Sequence, residues 1–289
     1  VDPRRIPRPA RPRLLFIDHL VPEPDHDAGS VIVASYLRLL IELGYEVTFL
    51  PVNLHFNGRY GKMLQAMGVE LLFHPYVSSI PDYLRDHAAA FDAFFLWRVN
   101  AGGEHVETLR RLCPGTPILF HTQDLHFLRM QRAAERMGNL PEEVQAAADM
   151  RERELRVMSL ATETILVSTH EEAVLREIGC RASLSVVPLV LDPAEAPPPR
   201  SARSGIAFVG GFQHPPNVDA VRWFMADIYP LLREAAPDLE FHIVGSKPTP
   251  EILAIDVPGV TVHGFVEDLG AFLDQRLATV VPLQYGAGI

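Results

Sequence analysis

The sequence predicts an α/β protein built from two doubly wound parallel sheets, the second of them incomplete. Three observations lead there. Short apolar runs alternate with amphipathic segments along most of the chain, the pattern of parallel strands joined by crossover helices. Residues 205–246 (GIAFVGGFQHPPNVDAVRWFMADIYPLLREAAPDLEFHIVGS) form one complete strand, glycine turn, helix and strand. Residues 192–205 (DPAEAPPPRSARSG) hold four prolines and almost no large apolar side chain, the composition of a linker. The expected organisation is a lead-in over residues 1–12, a first domain over 13–191, the linker, and a second domain over 206–289.

Residues 13–18 (RLLFID) read as a buried strand. A loop with His19, Glu23, Asp25, His26 and Asp27 leads to Ala28-Gly29-Ser30, which opens a long helix. Tyr36, Leu37, Leu40 and Leu43 form its apolar face, and Gly44 ends it. Strands are expected at 47–52, 69–73, 93–99 and 117–121, with helices at 63–67, 83–90 and 105–112 between them. After Asp124-Leu125-His126 the chain turns strongly helical. Residues 142–159 (EEVQAAADMRERELRVMS) read as one long exposed helix whose charges pair at i,i+4. A strand at 164–168, a helix at 171–178 and a strand at 184–189 complete the first domain.

Beyond the linker, 206–209 is a strand, and Pro215-Pro216 starts a helix, a place where proline is tolerated. Val218, Val221, Trp223, Phe224, Ile228, Leu231 and Leu232 are its expected apolar face. Strands at 241–244, 260–263 and 278–283 alternate with helices at 250–255 and 269–273.

Composition narrows the function. Hydrophobic residues make up 48% of the 289, enough for a buried core. The net charge of −10 and the lack of a basic run beyond residue 13 argue against a nucleic-acid partner. Arg4, Arg5, Arg8, Arg11 and Arg13 alternate with prolines and read as a solvated lead-in, with at most peripheral contact to a membrane. Cys113 and Cys180 are the only cysteines, which fits a reducing cytoplasm and offers neither a disulfide framework nor metal spacing. No apolar run approaches the ~20 residues that span a bilayer.

Five stretches carry a resemblance: PEPDHDAGS (22–30), DLHFLRMQR (124–132), VGGFQHPPNVDAVRWF (209–224), HIVGSKPTPEI (242–252) and VVPLQYGAGI (280–289). In this order they resemble the retaining, nucleotide-sugar-dependent glycosyltransferases of family 4 (group 1), which have two Rossmann-like domains in the GT-B architecture. Gly210-Gly211 is no GxGxxG, which counts against a dinucleotide oxidoreductase. The resemblance implies an acceptor-side first domain, a donor-binding second domain and reaction in the cleft between them. It also implies a glycan, lipid-linked or small-molecule acceptor. No cofactor and no metal are expected, because neither a DxD-type carboxylate pair nor a ligand cluster is present.

The site residues come from the same resemblance. Asp124 and His126 are the expected catalytic pair, facing the transferred sugar; on their own residues Asp124 reads equally as a helix N-cap. His121 is a rival that also suits a core. Gly29 and Ser30 match a DxGS pattern near donor phosphate or acceptor, and also read as a plain helix start. Gly210, Gly211 and Asn217 should face the diphosphate at a helix N-terminus. Relatives carry an arginine and a lysine at this turn, where this chain has Gln213, His214, Pro215 and Pro216. Lys247 is the nearby lysine. Val266 belongs to the segment expected beside the base, and Tyr285, Gly286 and Gly288 to the loop around the donor phosphates. Relatives continue past the last strand into further helices, so the chain is expected to be C-terminally truncated, to bind nucleotide weakly and not to transfer sugar alone. Two alternatives stand beside transfer. One is a non-catalytic domain that binds a sugar nucleotide or glycan, the other a nucleotide-sugar epimerase on the same fold.

Overall fold

The computed structural model describes residues 11–190 and 198–288. The expected lead-in lies almost wholly outside the described residues, as do residues 192–197 of the expected linker and Ile289. By its internal contacts the chain divides into two compact units. One comprises Val1–Pro22, Ile32–Val190 and Ala287–Ile289, the other Glu23–Val31 and Leu191–Gly286.

The first unit is a seven-stranded sheet in the order β3-β2-β1-β4-β5-β6-β7. Its strands are β1 (Arg13–Asp18), β2 (Glu46–Pro51), β3 (Glu70–Leu71), β4 (Ala93–Trp97), β5 (Ile118–His121), β6 (Glu163–Leu166) and β7 (Leu184–Val186). Every pairing is parallel. Alternation along β1 sends Leu14 and Phe16 to one face and Leu15 and Ile17 to the other, and each face has its own core. Phe16 stacks on Phe95 at 4.9 Å, Phe49 at 5.5 Å and Trp97 at 5.6 Å, a cross-strand aromatic ladder that also fixes register. Burying each such ring stabilises by about 1.5–3 kcal/mol.

Helices α1 (Ala28–Glu42), α2 (Gly58–Ala66), α3 (Ile80–His87), α4 (Val106–Leu112), α5 (His126–Arg136), α6 (Pro141–Leu160) and α7 (Thr169–Glu177) connect these strands. Helix α3 begins earlier than the hydrophobic pattern suggests, because Ser79 caps it by accepting from the Asp82 amide and Pro81 sits in its first turn. Helix α6 also departs from expectation. It is exposed on one side only, since Ala147, Glu154, Val157 and Met158 are buried.

The second unit is a four-stranded parallel sheet in the order β10-β9-β8-β11. Its strands are β8 (Ile206–Val209), β9 (Phe241–Val244), β10 (Val260–Gly264) and β11 (Ala278–Thr279). Helices α8 (Pro215–Trp223), α9 (Tyr229–Ala235), α10 (Pro250–Leu253) and α11 (Leu269–Asp274) accompany it. Phe208, Phe212, Val221, Phe224, Tyr229, Phe241 and Ile243 form its core.

The expected single helix after β8 is interrupted. A π-helical turn, Phe224–Ile228, joins α8 to α9. Pro230 has no N–H to donate back along the helix, and the wider turn absorbs that lost bond. The extra residue rotates the start of α9, so Tyr229 is buried and Leu231, expected on the apolar face, is 65% exposed. Strand β11 stops at Thr279, well short of the expected residue 283. Among the described residues no helix is long and apolar enough to cross a membrane.

Candidate functional site

Open parallel sheets bind ligands beyond the carboxyl ends of their strands, where the strand order reverses. In the first unit that reversal lies between β1 and β4. Their last residues and successors meet there: Arg98 Nη1 donates to both Asp18 oxygens at 2.7 Å, and the His19 amide donates to Asp18 Oδ1 at 2.7 Å. Asp18 is buried, and desolvation raises its pKa against the pull of Arg98. Arg98 adopts φ +61°, an uncommon conformation for a non-glycine residue. Gly102 lies against the same strand ends; a Cβ there would come 2.6 Å from the Ile17 carbonyl and the Trp97 amide nitrogen.

The neighbouring strand β5 carries the segment singled out by sequence. Its last residue, His121, packs flat on Trp97 at 3.7 Å and accepts from the Gln123 amide at Nδ1. Burial drives its pKa down to about 3, so this ring is a neutral core group. Thr122 and Gln123 then turn the chain, and α5 starts at His126.

Asp124 does not cap that helix. The N-cap position is Leu125, which has no side-chain acceptor, and the helix amides are satisfied from elsewhere. Glu154 of α6 accepts from the His126 amide at 3.0 Å and the Phe127 amide at 2.8 Å. Glu171 of α7 accepts from the Leu125 amide at 2.9 Å. Both glutamates are fully buried. Burial pushes Glu154 up to about 8 and raises Glu171, although amide bonds oppose the shift in each.

Asp124 is thereby left to pair through its side chain. Its Oδ2 lies 3.2 Å from Arg129 Nη1, and its Oδ1 lies 3.4 Å from His126 Nδ1. The same nitrogen is 3.3 Å from the Asp124 carbonyl and 3.7 Å from Glu154 Oε1. Burial holds His126 below the usual imidazole range despite Asp124, so the ring is neutral with Nδ1 turned to these acceptors. The sequence singles out Asp124 and His126 and gives no prominence to Arg98, Glu154 or Glu171, which the fold brings to these strand ends. Ser168-x-x-Glu171 was a capping-box signal, and Ser168 does accept from the Glu171 amide at 3.2 Å. Glu154 left no such trace.

Gly288 belongs to this unit as well. Its amide donates to Glu171 Oε1 at 2.9 Å, and its φ is +90°. An added Cβ would lie 3.5 Å from Asp124 Cβ.

The second unit has its own strand-end turns. After β8, Gly210 packs so closely on Asn217 that a Cβ would come 2.7 Å from Asn217 Nδ2. Asn217 in turn donates to the Gly211 carbonyl at 2.8 Å, closing the turn. After β9, a Cβ on Gly245 would lie 1.9 Å from the Gly210 carbonyl, so the two turns touch through bare backbone. Gly211 is roomier; only Ser246 Oγ lies within contact of an added Cβ, at 3.5 Å. Lys247 reaches this turn: its Nζ donates to Gln213 Oε1 at 3.0 Å.

Gly29 and Ser30 lie in the first turn of α1, where Asp27 accepts from the Ser30 amide at 2.8 Å and its hydroxyl at 2.7 Å. Within the same unit the His26 ring stacks on Phe265 at 4.6 Å and its carbonyl accepts from Ser246 Oγ at 3.1 Å. Val266 is the residue after Phe265, partly buried, and Tyr285 and Gly286 are likewise partly buried beyond β11. No group of three or more His, Cys, Asp or Glu side chains among the described residues is arranged to hold a metal ion.

Comparison with known proteins adds three findings. Residues 203–289 match the family model described as "Glycosyl transferases group 1". No curated protein matches the chain. Among solved structures, the chain resembles sucrose-phosphate synthase from Thermosynechococcus elongatus at TM-score 0.63 and 16% identity, covering 95% of this chain and 76% of that one. It resembles TarM at TM-score 0.67 and 8% identity, covering 99% and 82%. It also resembles a putative UDP-N-acetylglucosamine 2-epimerase from Listeria monocytogenes at TM-score 0.54 and 12% identity, covering 93% and 74%. These likenesses show the fold: two Rossmann-like parallel sheets of the GT-B type.

Proposed function

We propose that the protein transfers a sugar from a nucleotide-sugar donor to a glycan, lipid-linked or small-molecule acceptor, with retention at the anomeric carbon, as a family 4 enzyme. The observation that carries this is that the group 1 match, residues 203–289, covers the whole β8–glycine turn–α8–β9 unit. Residues 206–289 serve as the donor side and residues 13–191 as the acceptor side.

In this reading the turn of Gly210, Gly211 and Asn217 receives the diphosphate. Helix α8 begins just beyond it, and Gly211 has only Ser246 Oγ within contact of an added Cβ. Lys247 supplies the cation that relatives place within the turn itself. The short segment at Val266 accepts the base, Tyr285, Gly286 and Gly288 belong to the donor loop, and Gly29 and Ser30 open a helix near donor or acceptor.

His126 acts as a neutral hydrogen-bonding group. With Nδ1 committed to Asp124, Nε2 remains to contact a hydroxyl of the transferred sugar, and Asp124 holds the ring's tautomer. The anomeric carbon–oxygen bond to the diphosphate breaks as the acceptor oxygen bonds to that carbon on the same face. The acceptor's proton passes to the departing phosphate oxygen, so no protein nucleophile and no metal are required. The reaction is assigned to the cytoplasm.

A thermal-shift screen against UDP-, GDP-, ADP- and dTDP-sugars tests the donor class. Product analysis with the stabilising donor then tests the reaction. Nucleotide release with a new glycoside of unchanged anomeric configuration is the expected result. Epimerised donor without nucleotide release would favour the epimerase alternative. Binding with no turnover by the intact protein would favour a non-catalytic domain, and no binding at all by it would overturn the reading.

A further inference from the structure

We infer that Glu154 and Glu171 are positioning residues that together set the Asp124–His126 segment and seat Gly288 upon it. They come from two different helices, α6 and α7, and converge on one short turn. Between them they accept from the amides of Leu125, His126 and Phe127, the donors that the start of α5 would otherwise leave unpaired. A helix start of this kind usually draws its acceptor from its own N-cap side chain or from a bound anion. Here the N-cap is leucine and both acceptors are fully buried carboxyls, so these amides are closed to a substrate phosphate.

The arrangement goes beyond local helix-capping chemistry. Glu171 stands at the last position of a Ser-x-x-Glu box, where it would ordinarily reach back to its own helix's first amide. Oε1 reaches further, spanning from the Leu125 amide to the Gly288 amide, both at 2.9 Å, while the Val167 backbone beside the helix start also holds the carboxyl. One oxygen thus joins two segments far apart in sequence, while Oε2 is buried without a hydrogen-bond partner. Glu154 Oε1 bonds the backbone of His126 and stands 3.7 Å from its ring nitrogen, so it sets both where the residue sits and which way the ring turns. Burying two carboxyls this way is costly, and the backbone amides they bind offset that cost.

The role of these residues in turnover rests on the transferase reading above; their role in geometry does not. NMR of the 15N-labelled protein reads the geometry directly. Glu171→Gln should shift the Leu125 and Gly288 amide resonances together and spare those of His126 and Phe127. Glu154→Gln should do the converse and also move the His126 ring nitrogens. If each variant perturbs amides diffusely, or His126 is unmoved by Glu154→Gln, the positioning role is overturned. Should glutamine prevent folding, Glu154→Asp and Glu171→Asp, which keep the carboxyl but shorten its reach, give the same readout.

In the transfer assay both glutamine variants should lower kcat by about tenfold to a hundredfold with donor KM changed less than about twofold. Loss of thermal stability at unchanged kcat would reduce them to structural residues. A parent protein without transfer, beside the expected resonance pattern, would sink the transferase reading and leave the positioning intact.

Discussion

The two units build their strand-end turns by opposite means. In the first, ionisable side chains from distant elements are buried: Asp18 against Arg98, and Glu154 and Glu171 against the amides around His126. In the second, the turns after β8 and β9 meet through glycine backbone, tied by Asn217. The first arrangement fixes a turn through long, specific contacts and makes it sensitive to charge and pH. The second fixes it through excluded volume at Gly210 and Gly245, where there is no room for an added atom.

Four measurements would break or sharpen that contrast. The largest expected effect is in the first unit. Arg98→Met removes the partner of a nearly inaccessible carboxylate, and breaking a buried pair from one side typically costs about 3–5 kcal/mol. Arg98 keeps 21% side-chain exposure, so the lower end of that range is expected in urea unfolding. A loss below about 1 kcal/mol would mean that Asp18 is held by its other contacts.

His126→Ala should lower turnover far more than stability, costing transfer about 2.7–4 kcal/mol in activation, as for one preorganised donor. Equal turnover in parent and variant would make the ring as structural as His121.

Gly245→Ala tests the second unit's mechanism. With a Cβ 1.9 Å from the Gly210 carbonyl, backbone must move, and overpacking of this kind costs about 1–3 kcal/mol. Gly211→Ala meets only ordinary contact and is the control, expected to be neutral in the same unfolding experiment. Indistinguishable variants would refute the close-approach account.

The smallest effect per step is in pH dependence, and it belongs to the first unit. His121 falls to about 3 in the folded chain, so its contribution is complete above the unfolded value near 6.5 and is lost as pH drops toward 3. Glu154 rises to about 8, so its contribution is complete below the unfolded value near 4.5 and is lost as pH climbs toward 8. Between about 4.5 and 6.5 the two slopes oppose each other, which predicts a plateau with limbs of about 1.4 kcal/mol per pH unit outside it. His121→Gln should flatten the acid limb and Glu154→Gln the alkaline one. A profile unaltered by either substitution would show that neither group couples to folding.

Much of the fold could be read from local pattern. Strands β1, β8 and β9 begin and end where their apolar runs do, because a buried parallel strand must be apolar on both faces. Helix starts at Pro215 and Pro250 come from proline's fixed geometry in a first turn. Boundaries that depart from the apolar pattern have equally local causes: Ser79 extends α3, and Pro230 forces the π turn that exposes Leu231.

For the candidate site the division is sharper. The sequence by itself determined two parallel α/β sheets, the turn at Gly210-Gly211, and the place of Asp124 and His126 just past a strand. Each of these depends on neighbours within a few positions, through periodicity, turn chemistry and strand-end placement. Only the tertiary structure decided that Glu154, on a helix rich in charges, is the one turned inward, and that Glu171 reaches past its own capping box to Leu125 and Gly288. It alone brought Arg98 to Asp18 and Lys247 to Gln213. Those choices arise where separate segments meet, and a charge commits to burial only when a partner from elsewhere in the chain compensates the lost water.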